Sequence, residues 1–449
     1  MIMKKTGLIP LIIIIFVAAL IPLPAQNGLK FAELAQRLEP YFDKALIKDV
    51  KRQLPQGSDY SIWGWDVGDF TGDGFFDCAM TIKLAAEKRP KVWVYLFADI
   101  EGYLTEVGKF QYQFFEIPLE IGVVIKNNTC YVTRKREKFN WVIRGYTYDN
   151  GAMILLDEFT TTKLHKLTRE TYKNYQTLQN TEKYFYTRTG EEEFKANYLT
   201  IPSYYRGRKI YKGYNNEVFS NYVDYVNKGA FYWDGDDDAS FKVKSAYDDE
   251  FIYFTVKVND DNIVQPRCDT CPRDYVDVWL DLFPPDPQGG RFAHYRNNTI
   301  KFRNSTDWGI FCISVYPGDF VEKKSEIKIS TTEDLEGFQK IASRSLKSVA
   351  NLHDKGYVLK FKIPFMLLGF QTTPVEQDTL TEFGCSVVVH DYDNQFRPEE
   401  ETQIASSNFF SLNPSSYGSL MLVPENHWYG ETNNIYQADI LRHLRELGF

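Results

Sequence analysis

Six cysteines, six histidines and six methionines among 449 residues limit the chemistry before any motif is read. So few cysteines cannot make a disulfide-dense scaffold. Only Cys268 and Cys271, in RCDTCPRD, are spaced as a local pair, with no second ligand pair at zinc spacing and no Cys-x-x-Cys-His for covalent haem attachment. A redox motif would open a helix, whereas Pro272 and the strand-like DYVDVWLDLF follow this one. The pair therefore reads as a structural loop, closed by a small disulfide or left as surface thiols. Cys78, Cys130, Cys312 and Cys385 lie in apolar, strand-like contexts that suit buried free thiols. Gly-x-Ser-x-Gly and His-Glu-x-x-His are also missing, so no constellation for catalysis is visible. Positive charge is short as well. The net charge of −8 becomes about −10 without Lys4 and Lys5, which argues against nucleic acid as a partner.

The N-terminus supplies the long apolar run, from about Gly7 to Leu23, after two lysines and before the small residue Ala25. That order is a secretory signal peptide over residues 1–25, with a retained membrane anchor as the alternative. The expected location is secreted, periplasmic or at the cell surface, with no stable membrane insertion after cleavage. Oligomeric state is not legible.

Aromatics are abundant, at 16%, and suit β-sheet faces. From Leu29 to Leu54, Phe31, Leu34, Leu38, Phe42 and Leu46 recur on one helical face, with Pro40 as a break. Short strands then run to about Thr160, which gives an N-terminal α+β domain over 26–165. Residues 166–205 are polar, Tyr-rich and without a clear period, and read as a connector. Alternation returns over 206–425, where Phe241, Val243 and Tyr247 share a face, as do Ile252, Phe254, Val256 and Val258. Repeated short strands with turn signals predict an antiparallel β-sandwich, jelly-roll-like, in a mainly β protein. Residues 426–449 read as a helical tail.

One loop, DFTGDGFFD, places oxygen donors at alternate positions: Asp69, Thr71, Asp73, the Phe75 carbonyl and Asp77. Gly74 holds the sixth position, where a tight calcium loop turns. Met80 stands at the twelfth position, so this is no EF-hand. The stretch resembles the calcium loop of FG-GAP and VCBS repeats, in a single copy, and that resemblance implies a structural calcium. The alternative is an Asp-rich turn without metal.

The order YWDGDDDASFKVKSAYDDEFIYFTVKVNDDN, RDYVDVWLDLF, GYVLKFKIPFMLLGF and SYGSLMLV resembles family 9 carbohydrate-binding modules and the related DOMON sandwiches, with Asp277 where that family carries Glu. Along YVDVWLDLF, Val276, Val278, Leu280 and Leu282 face one way, and Tyr275, Asp277, Trp279, Asp281 and Phe283 the other. A face of rings and carboxylates suits a sugar, whose C–H patch stacks while its hydroxyls pair. The family holds sugar between two Trp. Trp279 matches its strand motif, Trp233 and Trp308 are candidates for the second, and His294 and Arg296 offer donors. The resemblance implies an exported, non-catalytic module for poly- or oligosaccharide, linked to carbohydrate breakdown. The Asp run 236–238 and the pair Asp260 and Asp261 read as solvated turns, with a second calcium as the alternative. Two rivals remain: a haem-binding DOMON-like electron-transfer protein, with Met366, Met421, His294 and His390 as axial candidates, and a structural or adhesive surface protein with no sugar ligand.

Overall fold

The computed structural model describes residues 31–424, except 43, 55–59, 85–90, 114–119, 138, 150, 208–209, 211–213, 222, 267, 269–270, 284, 287, 304–308, 333, 376–379 and 412. The expected signal peptide and helical tail lie outside the described residues. Those residues form two compact units, one of residues up to 134 with 147–153, the other of 135–146 with 154 onward. No helix among the described residues is long and apolar enough to cross a membrane.

In the first unit, α1 (Phe31–Leu38) and α2 (Lys44–Gln53) follow the apolar period, with Leu34, Leu38, Ile47 and Val50 buried. Pro40 falls between them, where its missing N–H costs no helical bond. Their apolar stripe packs on alternate residues of an antiparallel sheet: Cys78, Met80 and Ile82 of β2 (Asp77–Leu84), Tyr95 and Phe97 of β3 (Lys91–Ile100), and Ile62 of β1 (Tyr60–Gly68). Strand β4 (Tyr103–Gln113) completes the order β1-β2-β3-β4. Next come β5 (Glu120–Lys126) and β6 (Thr129–Glu137), then β7 (Asn140–Asp149) and β8 (Ala152–Leu164).

In the second unit, the stretch expected as a connector folds as strands β9 (Leu167–Asn174), β10 (Gln179–Tyr186) and β11 (Glu192–Tyr205), in an antiparallel meander that begins with β8. The alternation was hidden because the inward positions of β10 are polar. Asn180, Glu182 and Tyr184 are buried there, and Asn180 Nδ2 donates to the Leu178 carbonyl at 3.1 Å and to Thr200 Oγ1 at 2.6 Å. Buried polar groups that are paired in this way cost little.

The remaining strands are β12 (Val218–Ser220), β13 (Val226–Lys228), β14 (Ala239–Tyr247), β15 (Phe251–Asp260), β16 (Tyr275–Asp281), β17 (Ala293–Arg296), β18 (Thr299–Phe302), β19 (Ile310–Tyr316), β20 (Glu326–Thr331), β21 (Lys347–His353), β22 (Gly356–Pro364), β23 (Thr381–Asp391), β24 (Thr402–Ala405) and β25 (Gly418–Val423), with the short helix α3 (Gly337–Ala342) after β20. One sandwich layer runs β21-β22-β15-β14 and the other β25-β23-β16-β19-β20. The end of β11 joins them, and it pairs parallel to both β14 and β25 in an otherwise antiparallel framework. Between the layers lie the predicted inward residues Phe241, Val243, Ile252, Phe254, Val276, Val278 and Leu280, buried in one core with Tyr357 and Leu359 of β22. Full burial of such a side chain stabilises by about 1.5–3 kcal/mol, so this alternation fixes the register. Asp248 Oδ1 accepts from the Glu250 and Phe251 N–H groups and forms the β14–β15 turn.

Candidate functional site

With Val276, Val278 and Leu280 in the core, the opposite face of β16 looks away from it. Across this face Tyr275 lies beside His390 of β23, Asp277 beside Ser314 of β19 and Val388, and Trp279 beside Cys312 and Ser386. The row does not stay open along its length. At its far end Asp281 is fully buried, held by Arg291 at 3.2 Å and by the Arg303 Nε at 3.2 Å. The Arg291 guanidinium lies over Gly384, where a Cβ would come within 1.3 Å of Nη2. These arginines flank the β17–β18 hairpin and anchor it. Arg303 also lies over the Phe283 ring at 4.4 Å, and His294 meets the same ring edge-on at 4.4 Å.

The Tyr275 end is different. The His390 ring stacks on Tyr275 with centroids 4.0 Å apart and planes 8° apart, and Tyr275 stacks on Tyr316 at 5.0 Å. His390 Nδ1 is 2.7 Å from Glu401 Oε1 and Nε2 is 3.2 Å from Asp277 Oδ2. Glu401 also pairs with Lys228 and accepts from Gln403 Nε2 at 2.7 Å. Burial alone would lower the His390 pKa, but the two carboxylates outweigh it and raise it. Burial likewise opposes ionisation of Asp277, and His390 overrides it to hold the carboxyl below its usual range. Glu401 falls to about 2 against its burial, through His390, Lys228 and Gln403. The result is a recessed Asp277–His390–Glu401 row whose histidine is also one ring of the stack.

The sequence-predicted residues divide. Tyr275, Asp277 and Trp279 stand together on β16. Trp279 is half-buried against Ile310, Val388, Ala405, Phe409 and Tyr417, and its buried Nε1 has no hydrogen-bond partner. Trp233 packs against the main core and its Nε1 donates to the Ala239 carbonyl at 2.8 Å, so it braces the 229–239 loop. His294 and Arg296 stand on the separate β17–β18 ribbon, with Arg296 exposed at its turn. Trp308 lies outside the described residues. Of the haem candidates, His390 has a carboxylate at each ring nitrogen, Met421 is buried on β25 and Met366 is exposed.

In the 69–77 loop, Asp69 accepts from the Gly72 N–H at 2.6 Å and the Gly74 N–H at 2.9 Å, and Asp73 from the Phe75 N–H at 2.9 Å. Asp77 is fully buried and accepts from the N–H groups of Phe70, Thr71 and Asp99 at 2.8, 3.0 and 2.9 Å. Burial still lifts its pKa to about 6. The donor types suit calcium, and as folded the three carboxylates are taken up by backbone N–H groups. The three carboxylates do not gather within 4.8 Å of one another, the spacing that the metal-competent clusters among the described residues reach. As folded, they hold a turn.

Sequence reasoning missed the roles of His390, Glu401 and Tyr316. The signal for His390 was present in VVVHDYD, where a histidine takes an outward position at the end of an apolar strand.

Residues 212–425 match the family model described as carbohydrate family 9 binding domain-like. Among solved structures, the chain is similar to a family 9 carbohydrate-binding module from Caldicellulosiruptor kristjanssonii in complex with glucose, at 16% identity and TM-score 0.30, covering 50% of this chain and 96% of that one. A second structure, of a family 9 module from the same organism with cellotriose, shows 15% identity and TM-score 0.30, covering 50% of this chain and 94% of that one. No match was found among curated proteins. The matched stretch begins between β11 and β12 and includes β12–β25.

Proposed function

We propose that the family 9-like domain binds poly- or oligosaccharide on the outer face of β16, β19 and β23, as a non-catalytic module of an exported protein that serves carbohydrate breakdown. The observation that carries this reading is the His390–Tyr275–Tyr316 stack, whose histidine also lies between Asp277 and Glu401. With its two faces taken by His390 and Tyr316, Tyr275 has a ring edge to offer a sugar's C–H groups, and the carboxylate of Asp277 is an acceptor for hydroxyls. Trp279 continues the same row. The apolar N-terminal run after two lysines supports export.

The test is glycan binding by the full chain on an array of plant, bacterial and storage polysaccharides, with Tyr275→Ala, Asp277→Asn and Trp279→Ala alongside. Removing a stacked ring or a charged hydrogen-bond partner costs about 1.5–3 kcal/mol, so Tyr275→Ala and Asp277→Asn should each weaken binding at least tenfold. Variants that fold and bind like the parent would overturn the placement. No binding to any glycan by the parent would overturn the function.

A further inference from the structure

The layer β21-β22-β15-β14 also has an outer face, on the side of the sandwich away from the β16 row. Its outward positions alternate with the buried Phe241, Val243, Ile252, Phe254, Leu359 and Phe361. Six of them are lysines: Lys242 and Lys244 on β14, Lys257 on β15, Lys347 on β21, and Lys360 and Lys362 on β22. None of the outward positions on these four strands is a carboxylate. In a chain of net charge −8, this face is a concentrated exception.

The strand register arranges these lysines as a band. Lys242 stands directly opposite Lys257, the next row carries Lys244 and Lys360 with Thr255 between them, and the row after that sets Lys362 directly opposite Lys347. Each row steps one strand sideways, so the charges cross the sheet diagonally over roughly 20 Å. Like charges directly opposite one another destabilise a sheet, and the fold keeps two such pairs. Edge protection does not account for them, because Lys257, Lys360 and Lys362 stand on the central strands β15 and β22. Neutralisation within the chain does not either. Glu217 lies 3.7 Å from Lys242 and 3.5 Å from Lys244, whereas Lys257, Lys347, Lys360 and Lys362 make no ion pair among the described residues. Asp354, in the β21–β22 turn, feels the charge of Lys257 without pairing with it. Lys362 Nζ lies 3.5 Å from the centre of the Phe251 ring and Lys242 Nζ 5.2 Å from that of Phe219, so both stems are held down on the sheet. Cations placed in advance lose less freedom when a partner binds.

A linear band of cations fits a linear anion. A lipid surface or a nucleic-acid duplex is broad and would meet the acidic remainder of the chain as well. A single polymer strand can follow the band and sense only charges within a screening length, about 8 Å at physiological salt. We propose that the outer face of the β21-β22-β15-β14 layer binds a linear acidic polysaccharide, whose carboxylates pair with Lys257, Lys347, Lys360 and Lys362. Thr255 and Val349, which lie among these lysines, offer a hydroxyl and an apolar surface to the sugar rings. The assignment does not rest on the sugar-binding reading above, since the two faces share no residue.

The experiment titrates polygalacturonate into the full chain, in chelator, beside the fully methyl-esterified polymer, which keeps the backbone and loses the charge. The first should bind, more weakly as salt rises, and the second should not. Lys257→Gln combined with Lys360→Gln should weaken binding roughly tenfold. That variant should melt no lower than the parent, because each change removes a repelling charge, and arginine at the same two positions should restore binding. Tyr275→Ala and Trp279→Ala should leave polygalacturonate affinity unchanged. No binding by the parent, equal binding of the esterified polymer, or a loss that follows Tyr275 and Trp279 instead of the lysines overturns the proposal. Binding to phosphatidylglycerol vesicles without binding to polygalacturonate also overturns it, in favour of a membrane surface. Neutral glycans on the array report on the β16 face separately, so failure of either face is read without the other.

Discussion

The 69–77 loop and the Asp260–Asp274–Asp391 cluster are both rich in aspartate, and they spend their oxygens differently. In the loop, Asp69, Asp73 and Asp77 each accept from backbone N–H groups of the turn they form, and Asp77 also takes the N–H of Asp99. In the cluster, the backbone takes some oxygens and leaves Asp260 Oδ2 and Asp391 Oδ1 with none. Acid content is therefore a poor guide to cation demand. What counts is the set of acceptors left over after the backbone has been served. A loop that supplies its own N–H groups can neutralise its carboxylates locally. Carboxylates that arrive from the ends of three separate segments cannot.

The comparison breaks most visibly at Asp77. Truncating it to Ala strips three N–H groups, of Phe70, Thr71 and Asp99, of their acceptor. At about 1–3 kcal/mol for each buried orphan, Asp77→Ala should destabilise the first unit by roughly 3–5 kcal/mol in a urea titration followed by tyrosine and tryptophan fluorescence. A loss under about 1 kcal/mol would mean that the loop N–H groups find water, and that the hydrogen-bonded account of the turn is wrong.

Glu401 gives a third way of spending a carboxylate, on cations of the chain itself. Its pKa falls from the ordinary 4.5 to about 2 through His390, Lys228 and Gln403, against the opposing effect of burial. A group depressed on folding contributes stability that is present above its ordinary value and lost as pH falls toward its folded value, because the unfolded chain binds the proton first. Melting temperature should therefore drop between pH 4.5 and about 2, and Glu401→Gln should flatten that part of the profile. An unchanged acid limb would place the loss of stability elsewhere.

Much of this was legible in the sequence. The apolar residues of β16 fall where alternation puts them, because the core takes Val276, Val278 and Leu280 and a shift of one residue would turn them out of it. Two things were not legible. The meander of β9–β11 escaped because polar side chains such as Asn180 and Glu182 occupy its inward positions, so hydrophobicity does not alternate although burial does. The Asp260–Asp274–Asp391 cluster escaped because its members are 14 and 117 residues apart in order along the chain and meet only through the β15, β16 and β23 ends. Asp260 was readable only next to Asp261, as a solvated turn. Trp233 was ambiguous for a related reason: a tryptophan beside a polar turn has the same local sequence whether its ring faces ligand or closes the core.

The smallest effect is also the most discriminating. Asp73 is exposed and accepts only the Phe75 N–H within its own turn, so Asp73→Ala should cost about 0.5–1 kcal/mol, the worth of one solvent-accessible hydrogen bond. If the loop spent its carboxylates on calcium, the cost of Asp73→Ala would appear in calcium and vanish in chelator. The folded loop argues for the reverse: an equal small cost under both conditions. Melts of the parent and Asp73→Ala, with and without calcium, therefore decide between the two accounts of the loop. A calcium increment that follows Asp73 would show that the loop side chains turn from their N–H partners to a cation, because binding would then exceed the hydrogen bonds given up.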